Sequence, residues 1–113
     1  MPEDLDWHRP KTLHGKTIHI DTACGEMAIT LNRHPETGNI IEVFVRIDDP
    51  GTCGYAQTES MGRLITWGLR YGASIKELIQ QLSNIQCPRS TFQSGTRITS
   101  CADAVSKAIF LEV

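Results

Sequence analysis

The spacing of apolar residues changes once along this chain, from two to about 3.6, and that change constrains the fold more than any other feature. In the first part Thr17-Ile18-His19-Ile20 alternates. Met27, Ile29 and Leu31 share one side of their segment, and Ile40 to Ile47 sets Ile41, Val43 and Val45 against Glu42, Phe44 and Arg46. Alternation points successive side chains to opposite faces, so each segment predicts a strand with one buried side. Asn32 to Asn39 carries turn chemistry, with Pro35 presetting φ and Gly38-Asn39 able to take positive φ. Three strands joined by short turns predict an antiparallel meander.

After a break at Asp48 to Gly54 the period becomes helical. Met61, Leu64, Ile65, Gly68 and Leu69 form one apolar stripe, closed by Gly72 as a left-handed cap. Ser74-Ile75-Lys76-Glu77 has the pattern of a capping box, opening a helix with Ile75, Leu78, Ile79, Leu82 and Ile85 inward and Pro88 as its stop. Arg89 to Thr99 reads as a polar connection anchored by Phe92 and Ile98. A last helix starts near Ser100, capped by Ser100 or Thr99, with Cys101, Ala104, Val105, Ala108 and Ile109 on one face. The expected architecture is α+β, two layers, a three-stranded antiparallel meander followed by three helices (βββααα). Residues 1–15 form an N-terminal arm anchored by Trp7 and Leu13, and residues 16–113 form a single domain.

A length of 113 residues excludes catalytic barrels of about 250 residues. The formal net charge of −2 lacks the basic excess of a nucleic-acid binder or a membrane-surface protein, so neither partner is expected. No apolar run approaches the roughly 18 residues of a membrane span. The acidic, polar start lacks a signal peptide's apolar stretch, which predicts a cytoplasmic protein.

Four cysteines, Cys24, Cys53, Cys87 and Cys101, are the first chemical feature. None pairs at the short spacing of a structural zinc site, and a reducing compartment disfavours disulfides, so reduced and mostly buried thiols are the simplest reading. Two junctions add to them. Gly51-Thr52-Cys53-Gly54 precedes the long helix, where glycines admit a close ligand and free N–H groups attract anions. Arg97-Ile98-Thr99-Ser100-Cys101-Ala102-Asp103 brings an arginine, two hydroxyls and a helix start together, and places Cys101 where the helix dipole lowers a thiol pKa. The bland readings are a plain turn and an ordinary capped helix. His8, His14, His19 and His34 are scattered. The carboxylates Glu36, Asp48, Asp49 and Glu59 suggest no acid or base role, and Arg63, Trp67 and Arg70 read as a solvated face with a core or subunit-contact tryptophan. No metal ligand set and no cofactor is expected.

The stretch Ile98-Thr99-Ser100-Cys101-Ala102-Asp103-Ala104 resembles the signature of the TSCPD domain, found near the C-terminus of cobalamin-dependent ribonucleotide reductases and as small stand-alone proteins. The likeness extends over about residues 9 to 110. It includes Arg9-Pro10, Leu13, Gly15 and Thr17, then Thr22-Ala23-Cys24-Gly25, Thr30 with Asn32, and Glu42-Val43-Phe44. Further on it takes in Gly62-Arg63-Leu64-Ile65, Leu69-Arg70, Gly72, Gln81-Leu82, Ile85 and Cys87-Pro88. Ala102 stands where the signature has proline and Ala23 where it has glycine, departures that bear on the helix start and on the turn. The chain lacks the cysteine-rich tail that follows the domain in many reductases, so no reducing relay is expected to end here. The resemblance implies a link to deoxynucleotide metabolism, while the length excludes a reductase barrel and hence ribonucleotide reduction by this chain alone. It also adds weight to Cys24, Cys87 and Cys101, which fall at family cysteine positions; Cys53 has no counterpart.

The leading expectation is a stand-alone, non-catalytic module that binds, and in one version sequesters, a nucleotide or other phosphorylated ligand, or docks on a ribonucleotide reductase. Its candidate site joins Cys24, Gly25, Gly51, Thr52, Gly54, Arg63, Arg97, Thr99, Ser100, Cys101 and Asp103, with Arg63 and Arg97 neutralising phosphate. The alternative is a thiol-redox accessory using two of Cys24, Cys87 and Cys101, or a metal site on the same cysteines. One uncovered sheet face and a free edge strand, with Phe44 on the second face and Ile18 and Ile20 nearby, predict a homodimer or larger homo-oligomer with sites shared between subunits.

Overall fold

A computed structural model describes residues 9–47, 51–88, 90–93 and 95–113. Trp7 and His8 of the arm, Asp48 and Asp49 of the break, and Arg89 of the polar connection lie outside the described residues. Strands β1 (His14–Thr22), β2 (Gly25–Arg33) and β3 (Ile40–Ile47) form an antiparallel meander in the order β1-β2-β3. Ala23-Cys24 is the two-residue turn between β1 and β2. The positive φ of that turn falls on Gly25 (138°), and Ala23 keeps a negative one, so the alanine there is unstrained. The register sets Ile20 opposite Met27, Ile29 opposite Val45 and Leu31 opposite Val43, which assembles one apolar face. Ile18 pairs with Ile29 and packs on the core with Ile20, so both isoleucines stand on the core side rather than beside Phe44 on the second face.

Helix α1 (Cys53–Arg70) lies along the outer edge of β3. A strand edge presents unpaired backbone groups, and here one side chain takes up both of those at Val43. The Thr66 hydroxyl accepts from the Val43 N–H (3.0 Å) and donates to the Val43 carbonyl (3.1 Å). Packing on an edge narrows the buried stripe to Thr58, Gly62 and Ile65, with Leu69 partly covered. Leu64, expected on the inner stripe, is turned outward and 67% exposed. The edge of β3 is therefore not free; the remaining outer edge, that of β1, runs beside the small hairpin described below. Thr66→Val keeps the side-chain shape and orphans the Val43 N–H, so urea unfolding should show a loss of about 1–3 kcal/mol. Thr66→Ser should restore most of it.

Helix α1 ends as the glycine at 72 predicts. Gly72 adopts φ 88°, its N–H reaches the Leu69 carbonyl, and the Ala73 N–H reaches that of Gly68, the paired bonds of a Schellman cap. Helix α2 (Ile75–Leu82) opens on Ser74, whose hydroxyl accepts from the Glu77 N–H at 3.3 Å. It stops before Pro88, because Asn84 enters the left-handed region (φ 62°), and Ile85 is consequently exposed rather than inward.

The segment read as a connection contains a small hairpin, β4 (Thr91–Gln93) paired with β5 (Thr96–Ile98). Three-residue strands are too short to show a period, which is why alternation missed them. Ile98 is buried, whereas Phe92, expected as the second anchor, is exposed. Helix α3 (Cys101–Glu112) crosses the core face, burying Ala104, Val105, Ala108 and Ile109 against the sheet. Ser100 caps it by accepting from the Asp103 N–H at 3.0 Å, so the helix starts without a proline at position 102. Among the described residues no helix is long and apolar enough to cross a membrane.

Candidate functional site

The outer face of the sheet carries a polar node. Arg9 pairs with the Glu42 carboxylate, which also accepts from the Asn32 amide at 3.0 Å. Gly15 faces Asn32 so closely that a Cβ would sit 2.0 Å from its Oδ1. On the same face the Thr17 and Thr30 hydroxyls meet at 2.8 Å. Burial alone would push the Glu42 carboxyl up; the bonds from Arg9 and Asn32 and the Arg9 charge outweigh it and hold the group below the usual carboxylate range. Arg9, Gly15, Thr17, Thr30, Asn32 and Glu42 are all positions of the family likeness, and their mutual contacts give them a structural reason.

Beside this node, the flank of α1 and the outer face enclose a shallow pocket of about 230 Å³ lined by Glu42, Phe44, Arg63, Thr66, Trp67 and Arg70. Residues 63, 66, 67 and 70 recur at helical spacing, so one side of α1 supplies four of the six groups. Trp67 is 58% exposed, neither core nor covered in this chain, and its ring lies 5.2 Å from that of Tyr71. Arg63 is held by Glu59 at 3.0 Å while its side chain remains 79% exposed. Glu42, Phe44, Arg63 and Arg70 stand at positions of the likeness, and the solvated Arg63 has no packing role to explain that. A larger groove of about 510 Å³, running from Arg33 and Gly38 to Ala73 and Val113, offers one cation and no aromatic ring. The sequence showed the spacing of 63, 66, 67 and 70, but not that this side of α1 would lean over the sheet.

The α3 start differs from the anion cradle expected there. The Ser100 hydroxyl is engaged by the Asp103 N–H. The Thr99 N–H donates to the Asp103 carboxylate (3.0 Å), and the Thr99 hydroxyl to the Ile85 carbonyl (2.9 Å). Asp103 is fully buried beneath them. An anion would find its donors in use and a carboxylate already present. Arg97 lies on the β4–β5 hairpin, where it donates to Ser90 at 3.2 Å, and Arg63 lies on the other side of the sheet from α3. The two arginines therefore do not share a site. Thr52 is the cap of α1, accepting from the Tyr55 N–H at 3.2 Å, with Gly51 at φ 92° before it and Gly54 in the first turn. That junction follows β3 at the sheet end that holds the Ala23-Cys24 turn, since Met27 pairs with Ile47.

Three of the four thiols are coupled through charge. Cys24 is exposed in the β1–β2 turn, where its N–H donates to the Thr22 hydroxyl at 3.2 Å. Cys87 is half-buried, its N–H bonded to the Thr99 carbonyl at 2.9 Å just before α3. Cys101, half-buried in the first turn of α3 and packed against the core, feels the charges of Cys24 and Cys87. Burial first, then the charge of Cys24 and that of Cys87, push the Cys101 thiol up, and the Thr22 bond only partly opposes them. The lowering expected from the helix dipole is overturned, and Cys101 is a protonated thiol at neutral pH. Cys53 is exposed at the start of α1 and is not part of this group. Among the described residues no three His, Cys, Asp or Glu side chains are placed to hold a metal ion.

Compared with known proteins, residues 2–112 match the family model described as the TSCPD domain. No curated protein and no solved structure matches.

Proposed function

The chain belongs to the TSCPD domain family, which makes it a module related to ribonucleotide reductases, and from that premise we propose that it binds a nucleotide without transforming it. The observation that carries this reading is the pocket where the exposed Trp67 ring meets Arg63 and Arg70 over Phe44. An indole face accepts a base by stacking, worth about 1–3 kcal/mol per base, and guanidinium forks bind phosphate oxygens in pairs. Glu42, buried at the pocket's edge, is ionised and has its carboxylate engaged by Arg9 and Asn32, so it shapes the pocket while the arginines and the indole supply the contacts. Of the lining side chains that could act as base or nucleophile, Glu42 is tied to Arg9 and Asn32 and the Thr66 hydroxyl to the Val43 backbone, which favours binding without transformation.

Calorimetry with deoxynucleoside triphosphates, cyclic nucleotides and inorganic phosphate tests this. Quenching of Trp67 fluorescence in a Trp7→Phe background reports the stacking directly. Arg63→Ala should weaken nucleotide binding about tenfold or more, as loss of a charged hydrogen bond of roughly 1.5–3 kcal/mol requires. Arg97→Ala should leave affinity unchanged. Nucleotides that fail to bind at millimolar concentration, or affinity indifferent to Arg63, would end the proposal.

A further inference from the structure

We infer that the pocket's ligand is a short single-stranded oligonucleotide, laid from Trp67 across Phe44 to the pair that Arg46 makes with Tyr55. This rests on the nucleotide reading of the pocket and extends it along the outer face of the sheet. The register aligns that face in rows. Gly15, Asn32 and Glu42 form one row, Thr17, Thr30 and Phe44 the next, and His19, Ala28 and Arg46 the third. The pocket takes in the first two rows through Glu42 and Phe44. In the third, the Arg46 guanidinium lies over the Tyr55 ring, 5.7 Å from its centroid. Tyr55, Glu59, Arg63 and Trp67 recur every four residues, so the flank of α1 that supplies the pocket continues to this pair.

Phe44 is an exposed ring in the middle of this polar face. Its cross-strand neighbours Thr30 and Thr17 and the diagonal Ala28 are short, which leaves the ring clear for a base. Guanidinium planes stack on bases as aromatic rings do, so Arg46, steadied by Tyr55, is a third station after Trp67 and Phe44. Two residues of strand advance about 7 Å, close to the step between successive nucleotides of an extended single strand, so Phe44 and Arg46 take adjacent units. Charge follows the same line. Arg46, Arg63 and Arg70 stand along it, Glu59 answers Arg63 only in an exposed pair, and Glu42 is already neutralised by Arg9. The formal net charge of −2 sums over the whole chain, whereas a phosphodiester backbone meets only this surface. A mononucleotide leaves the Arg46 end uncovered, and a duplex hides the base faces that Trp67 and Phe44 need.

The test is calorimetry of the full chain, with Trp67 fluorescence in the Trp7→Phe background, against dTMP and 5′-phosphorylated thymidylates of two, three and six units. Affinity should rise about tenfold with the second unit and again with the third, as one more stacked base requires, and gain little more at six. Its logarithm should fall with the logarithm of salt concentration at a slope of about −0.7 for each phosphate held. Arg46→Ala should remove the gain of the longer strands and spare dTMP affinity. Arg46→Lys, which keeps the charge without the plane, should recover the salt dependence but not the full gain. A thymidylate trimer that binds no better than dTMP, a gain indifferent to Arg46→Ala, or equal competition by a hairpin duplex overturns the inference and leaves the mononucleotide pocket standing. Failure of dTMP and of every longer strand to bind ends both readings.

Discussion

Asp103→Ala should lower stability by about 3–4 kcal/mol in urea unfolding, a large share of the 5–15 kcal/mol typical of a domain. The carboxylate is fully buried and ties three parts of the chain together. It accepts from the Thr99 N–H (3.0 Å), from the Asn84 N–H (2.9 Å) and from Lys107 one turn along α3. Alanine orphans both backbone donors, each costing about 1–3 kcal/mol when left unpaired away from water. At roughly 4–8 °C per kcal/mol for a chain of this size, the midpoint of thermal unfolding should fall by roughly 15–25 °C. The same group sets an acid limit. Burial alone would raise its pKa, but the bonds from Lys107, Thr99 and Asn84 outweigh burial and hold it below the ordinary carboxylate range. A depressed carboxylate contributes stability that is fully present above the unfolded value, near pH 4, and is lost as pH falls through the lower folded value. The acid arm of the stability profile should therefore be shallower in Asp103→Asn than in the parent. Equal slopes would mean that Asp103 does not drive acid unfolding.

Gly62→Val should cost about 2–3 kcal/mol, and Gly68→Ala, two turns along the same helix, should gain about 0.5–1 kcal/mol. The opposite signs come from what each Cβ would meet. At Gly62 it would lie 3.0 Å from the Val43 carbonyl and 3.1 Å from the Val45 nitrogen, both backbone atoms of β3 that cannot swing aside. Valine adds two methyl groups to that crowding and must lever α1 off the strand edge, loosening the Thr66 bonds with it. At Gly68 the nearest atom is the Ala73 Cβ at 3.6 Å, an ordinary contact, so the better helix propensity of alanine prevails. Chemical denaturation of both variants decides the matter; a stabilised Gly62→Val would show that α1 tolerates displacement from β3.

Both predictions rest on residues that the sequence marked for other reasons. Following Thr99 and Ser100 at a helix start, Asp103 suggests part of an anion site, yet its carboxylate is the anion that this helix start holds. Gly62 matched the family likeness with no role attached, and its role is a clearance between helix and strand. The helical spacing of Met61, Leu64, Ile65, Gly68 and Leu69 puts Leu64 on one apolar stripe, as wide as a helix packed flat on a sheet would bury. A helix packed on an edge buries a narrower one and leaves Leu64 in water.

What the sequence determined by itself was local. Alternation, turn residues and capping chemistry act over a few neighbours, so three strands, three main helices, the left-handed Gly72 and the Ser74 and Ser100 caps could be read directly. Their likeness to the TSCPD domain added which cysteines to watch. Which distant residues meet was decided only in three dimensions. The leaning of α1 over the outer face brought Trp67 and Arg63 above Phe44, and the crossing of α3 under the core face packed Cys101 against the core. The same crossing buried Asp103 among backbone donors from two other segments. The physical reason is that spacing along a chain specifies which face a side chain occupies, whereas the partner of that face is chosen by packing the whole core at once.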